Sequence, residues 1–156
     1  MLRPENVQDY PRPPLVEPVT EPLRAVLGDR EVLRTTRAWR VCETHHAPTY
    51  YIPPDDIAEG LLTPNSRTSF CEWKGRAAYF DLRTLAGPIA HAAWCYPDPT
   101  PRFAAIRDMV AIYAWALDAA FVDDVAVIPQ PGDFYGGWVT PNLQGIVKGG
   151  PGTEGW

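Results

Sequence analysis

No window of this chain approaches the ~20 consecutive apolar residues that a membrane span needs. Its first residues, Met1-Leu2-Arg3-Pro4-Glu5-Asn6, lack the apolar stretch of a signal peptide. Both absences point to a cytoplasmic protein with no membrane partner. Basic charge is scarce as well: net charge is −5, and no run of five Lys or Arg occurs. Nucleic acid is held mainly by Lys and Arg on phosphates, so it is not an expected partner. Cysteine is limited to positions 42, 71 and 95, an odd number with no Cys-x-x-Cys pair. That argues against a disulfide framework. A zinc site drawn from Cys42, His45, His46, Cys71, His91 and Cys95 would need tight ligand pairs, and only Cys42 with His45 or His46 comes close. Neither a metal nor a cofactor is expected. There is no internal repeat.

What the chain does have is short apolar runs punctuated by proline. At 156 residues it is one domain long, and a globule of that size buries roughly 68–70% of its unfolded surface. The 18 Pro and 12 Gly stay below the ~25–30% of a disordered chain. Residues 1–19 form an arm, because Tyr10-Pro11-Arg12-Pro13-Pro14 and Glu17-Pro18 favour extended backbone. Leu23–Leu27, Gly28-Asp29 and Arg30–Leu33 read as a β-hairpin, since Gly-Asp accepts the positive φ of a two-residue loop. In 37–43, Arg37, Trp39, Val41 and Glu43 share one strand face. In 76–82, Ala78, Phe80 and Leu82 do the same. In 89–96, Ala90, Ala92, Trp94 and Tyr96 fall on one side, and the small alanines leave room beside the rings.

One helix is expected, over 101–121. Thr100 stands where a cap would, Pro101 suits the first helical position, and Phe103, Ile106, Val110, Tyr113, Leu117 and Phe121 recur at three and four residues. Val125–Pro129 is a last short strand. The core domain is therefore 20–130, followed by a Gly/Trp-rich tail at 131–156. That tail cannot build a core of its own, and Trp138 and Trp156 need a place to pack. It should lie along the domain or dock on a partner, and the arm or the tail could carry a homo-oligomer.

Three central segments concentrate reactive and aromatic side chains: Tyr50-Tyr51-Ile52-Pro53-Pro54-Asp55-Asp56, Cys71-Glu72-Trp73-Lys74-Gly75 with Ala78-Tyr79, and Ala93-Trp94-Cys95-Tyr96-Pro97-Asp98-Pro99. Together they resemble the bacterial domain-of-unknown-function family 427, over about residues 20–130. The arm and tail look like those of actinobacterial-type members. The resemblance implies a mainly β (α+β) domain, a compact antiparallel β-tent or barrel-like fold with the long helix after the last motif. Relatives of that fold often carry a four-cysteine zinc site, whose knuckles this sequence lacks. The family has also been given a nucleotidyltransferase-like label. This chain has no Gly-Ser with a spaced Asp-x-Asp and no P-loop to support it. The resemblance carries over no catalytic residues.

The candidate site rests on the residues themselves. Tyr50, Tyr51, Trp73, Lys74, Trp94 and Tyr96 could line an aromatic pocket for a small molecule, or they could be ordinary core with a polar rim. Cys71 beside Lys74 could be a reactive thiol or a small packed hydrophobe. Lys74 before Gly75 could hold an anion or mark a strand edge. Glu43 and His46, near Tyr50-Tyr51, could share acid–base work, or His46 could simply bond a loop. Glu43 and Lys74 among rings should pair with each other or with a ligand, because unpaired buried charges cost several kcal/mol. The catalytic candidates are thus Glu43, His46, Cys71 and Lys74. Two functions stand: a small-molecule-binding or enzymatic domain, or an interaction module that uses the arm and tail.

Overall fold

Alternating apolar positions become strands throughout the computed structural model, which describes residues 2–132 and 134–156. The arm contributes β1 (Glu5–Asn6) and β2 (Leu15–Pro18). The hairpin β3 (Leu23–Leu27) and β4 (Arg30–Thr35) follows, then β5 (Trp39–Cys42) and β6 (Thr49–Tyr51). The three longest strands, β7 (Leu62–Cys71), β8 (Gly75–Thr84) and β9 (Gly87–Cys95), form a meander. Short strands complete the chain: β10 (Val110–Ile112), β11 (Ala119–Val122), β12 (Val125–Ala126), β13 (Ile128–Pro129), β14 (Trp138–Val139) and β15 (Leu143–Gln144).

These strands pair as three main sheets, ordered β10-β9-β8-β7, β12-β11-β3-β4 and β2-β5-β6, with β13-β14 and β1-β15 as two small ribbons. None closes into a barrel. Pairing is antiparallel except in β1-β15, which is parallel and joins the two ends of the chain. The β3–β4 turn forms because Gly28 and Asp29 both adopt left-handed backbone, at φ +63° and +61°. The Asp118 carboxylate accepts the Gly28 N–H at 2.8 Å and steadies that turn.

The central strand of the meander, β8, separates two apolar layers by alternation. Ala78, Phe80 and Leu82 of β8 pack into one layer with Leu23, Leu33, Ala93 and Ile112. Ala77 and Tyr79 face the other way and join Trp94, Tyr96, Ala111 and Tyr113 in a second layer, covered by Val41 and Tyr51. The first layer is mostly aliphatic, and each fully buried Leu or Ile there stabilises by roughly 1.5–3 kcal/mol. The second layer is built mostly from rings, whose bulk and polar tips leave an opening.

The expected helix over 101–121 does not form. No helix among the described residues reaches seven residues. Pro101–Ile106 is a 3-10 stretch broken at Phe103 (φ −108°, ψ 20°), and Ala114–Ala116 is a second 3-10 turn. Between and after them the chain is strand: Val110–Ile112 pairs with β9 and Ala119–Val122 with β3. The three-and-four spacing exists, but its residues do not share a stripe. Val110 and Leu117 enter the first layer, whereas Phe103, Ile106 and Tyr113 enter the second. Val110, Ala111 and Ile112 are all buried in succession, which a one-sided helix cannot achieve. Thr100 makes no cap; its hydroxyl donates to the Trp73 carbonyl at 2.6 Å.

Both termini fold back onto the domain. Val7 is fully buried, and Trp138 is buried under β10. Arg40 of β5 bonds Glu5 of the arm and Glu17 of β2. No helix among the described residues is long and apolar enough to cross a membrane.

Candidate functional site

A cavity of about 510 Å³ opens in the ring-built layer. Val41, Thr49 and Tyr51 of the β5–β6 pair form one side. The end of the β7–β8 hairpin, from Ser69 to Lys74, forms the second. Tyr79, Trp94, Tyr96 and Tyr113 make the floor, and the tail closes the cavity with Tyr135, Gly136, Gly137 and Lys148.

Each wall has a local cause. Glu72-Trp73-Lys74 is a three-residue loop between paired Cys71 and Gly75. Gly75 sits at φ +102°, backbone that L side chains rarely adopt. Thr100 pins the loop from behind: besides the hydroxyl bond to Trp73, its N–H donates to the Lys74 carbonyl at 3.2 Å. Lys74 therefore enters the cavity from a fixed base, with Nζ 5.6 Å from the Tyr96 ring centroid. On the opposite wall, Lys148 Nζ lies 5.5 Å from the Tyr135 ring centroid. The floor is joined to the tail by Tyr113, whose hydroxyl donates to the Phe134 carbonyl at 2.9 Å. Gly136 and Gly137 are required by closeness. A Cβ on Gly136 would stand 2.1 Å from the Trp94 ring, and one on Gly137 would stand 2.3 Å from Gln130 Oε1.

Gln130 organises the polar end. It is 2% exposed. Its Oε1 accepts the Ala47 N–H at 3.1 Å, and its Nε2 donates to the Lys148 carbonyl at 3.0 Å and to His46 Nδ1 at 3.1 Å. The Ala47 bond orients the amide, so Gln130 is the donor toward His46, whose Nδ1 is an acceptor. The His46 proton then sits on Nε2. Burial, followed by the charges of Lys148, Lys74 and Arg12, pushes the His46 pKa down to about 4. His46 is thus a neutral hydrogen-bond donor near pH 7.

The sign of the resulting pH dependence is fixed. The unfolded chain protonates this imidazole near 6.5 and the folded chain near 4. The contribution is present in full above 6.5 and is lost as pH falls toward 4. Wild type should lose more stability between pH 7.5 and 5 than His46→Asn, measured by urea unfolding. An NMR titration should show the His46 ring still neutral at pH 6. A His46 ring that titrates at 6.5 would refute the assignment.

A family model described as "Domain of unknown function (DUF427)" matches residues 15–123. The chain belongs to the DUF427 family. No curated protein matches the chain. The DUF427 segment supplies the hairpin wall, the β5–β6 wall and the floor. Gln130, Tyr135, Gly136, Gly137 and Lys148 lie beyond the end of that match.

The DUF427 fold brings Glu43, His46, Tyr51, Cys71, Trp73, Lys74, Trp94 and Tyr96 to one cavity. Tyr50 is not there. Thr49 and Tyr51 face the cavity, so strand alternation sends Tyr50 to the opposite side, against Trp138 at 5.5 Å between ring centroids. The space beside Trp94 does not come from Ala90 and Ala92. His91 adopts φ +55° at a register shift of β8–β9, which breaks the alternation; Ala90 is exposed and Ala92 joins the aliphatic layer. Glu43 pairs with neither Lys74 nor, among the described residues, any other lysine. Its ion-pair partner is Arg12 of the arm, at 3.7 Å. The Cys42 and Cys95 thiols are driven up by burial, to about 12 and about 11, and stay protonated. Among the described residues no group of three or more His, Cys, Asp or Glu is placed to hold a metal.

Sequence reasoning missed Tyr79, Tyr113, Tyr135 and Lys148 as lining residues. Tyr79 carried a signal, since it alternates with Ala78 and Phe80. Tyr113 was hidden by its apparent helical spacing. Lys148 carried none, because a lysine before two glycines in a tail says nothing about where the tail goes.

Proposed function

We propose that this DUF427 domain binds a small molecule with a flat ring body in the cavity between its hairpin, its floor and its tail. The carrying observation is that nine Phe, Tyr and Trp residues line one space of about 510 Å³. A pocket of a few hundred Å³ lined by rings with a few polar groups is how small-molecule sites are usually built. His46 and Lys74 are the groups best placed to touch such a ligand, with Cys71 and Glu43 beside them. The three cysteines are free, which supports work in a reducing compartment, the cytoplasm. The alternative of an interaction module needs an arm and tail that leave their own domain. Here β1 pairs with β15, Trp138 is 1% exposed and Trp156 packs on His45 at 4.4 Å, which favours the binding reading.

The test uses N-phenyl-1-naphthylamine, a neutral ring compound that fluoresces when it leaves water. The full chain should bind it saturably at one per chain. Thr49→Trp, which places a large ring in the cavity, should weaken binding by about tenfold or more. An unchanged circular dichroism spectrum would show that the variant folds. Equal binding by wild type and the variant would remove the ligand from this cavity.

A further inference from the structure

We infer that the ligand of this cavity is an anion, a ring compound bearing a carboxylate, sulfonate or phosphate, gripped between Lys74 and Lys148 with His46 Nε2 donating to it. The inference rests on the binding reading above and adds the charge class.

The distribution of lysine carries it. The chain is acidic overall, at −5, and its other cations are arginines; Lys74 and Lys148 are its two lysines. Both line the same cavity, one on the hairpin and one on the tail, 74 positions apart in sequence. Neither forms an ion pair among the described residues, whereas Arg12, Arg34, Arg37, Arg40 and Arg107 all do. An ammonium is a compact, strongly hydrated point charge, suited to one anionic group rather than to a planar fork. Each also stands near a tyrosine ring. The carboxylates of the cavity do not neutralise the pair. Glu43 is taken by Arg12, and Glu72 sits at the exposed tip of the hairpin loop.

His46 adds a directed donor. Gln130 holds Nδ1, which leaves the proton on Nε2. Nε2 has no protein partner among the described residues, and no side-chain polar atom there is both buried and unsatisfied. It therefore faces open space. The same Gln130 amide binds the Lys148 carbonyl, so one buried side chain positions His46 and the backbone of Lys148 together. Gln130 is a positioning residue for the anion grip.

The experiment compares two probes with the same rings: 1-anilinonaphthalene-8-sulfonate, an anion, and neutral N-phenyl-1-naphthylamine. The sulfonate should bind about tenfold tighter or better, since a bond to a charged group is worth more than one to a neutral group. Lys74→Met and Lys148→Met should each weaken the sulfonate by about fivefold or more and the neutral probe by less, with an unchanged circular dichroism spectrum showing that the variants fold. Lys148→Arg should retain part of the preference. Equal affinity for the two probes, or sulfonate binding indifferent to both Lys→Met changes, would overturn the charge class while the cavity stands. Binding of neither probe would overturn the binding reading itself.

Discussion

Arg40→Met should cost the fold about 3 kcal/mol, the lower end of the ~3–5 kcal/mol lost when one partner leaves a buried ion pair. For a chain of this size that is a fall in Tm of about 6–12 °C. Arg40 donates through Nη1 and Nη2 to Glu5, at 3.0 and 2.7 Å, and through Nε and Nη2 to Glu17, at 2.8 and 2.6 Å. The guanidinium is only 18% exposed, against 24% for Glu5 and 35% for Glu17. Removing it leaves two carboxylates facing each other and releases the arm from β5. The partial exposure of both acids is why the lower figure applies. Glu5→Gln and Glu17→Gln added to Arg40→Met should recover part of the loss, because they remove the stranded charges. Burial alone would raise the Glu5 pKa, but the hydrogen bond and charge of Arg40 bring it below the ordinary 4.5. The stabilisation is thus complete above pH 4.5 and disappears as pH falls through the lowered value. Urea midpoints of wild type and variant should converge on acidification. A constant gap would mean that Arg40 acts by packing alone.

Trp138→Ala should be at least as damaging, at about 3–5 kcal/mol, the usual cost of deleting a buried large aromatic. That corresponds to a Tm about 6–20 °C lower. The indole is 1% exposed, its Nε1–H donates to the Ile112 carbonyl at 3.0 Å, and its ring packs at 5.5 Å from Tyr50. Its backbone N–H donates to the Pro48 carbonyl at 2.9 Å. Trp138 anchors the tail immediately after Gly136 and Gly137, which touch Trp94 and Gln130. Losing the anchor should therefore loosen the cavity wall, and N-phenyl-1-naphthylamine should bind about tenfold more weakly. Trp138→Phe keeps most of the ring and loses only the hydrogen bond, so it should cost about 1–3 kcal/mol. Stability unchanged in Trp138→Ala would show that the tail is not integral to the core.

Local chemistry made part of this fold legible. Gly28-Asp29 specified its turn because two left-handed residues in a two-residue loop admit few alternatives. Ala78, Phe80 and Leu82 declared a strand face because a period of two cannot be mistaken within a seven-residue run. The stretch from 101 to 121 misled for the converse reason. It contains several short pieces, and a spacing of three and four arises by chance when strands and 3-10 turns alternate. Ala90 and Ala92 misled because one left-handed residue, His91, flips the faces, and nothing in the side chain announces it.

The sequence by itself determined that this is a β-rich chain of the DUF427 family, with reactive and aromatic residues concentrated in three segments. Those features are local: they depend on period, turn residues and motif. Only the tertiary structure decided that Tyr50 points away while Tyr79, Tyr113 and Lys148 point in. It also decided that Glu43 belongs to Arg12, that Gln130 holds His46 by its Nδ1 and that the two lysines line one cavity. Those facts depend on which strand lies beside which and where a tail of glycines comes to rest. Long-range pairing is set by the sum of many weak contacts across the whole chain, and no single segment carries it.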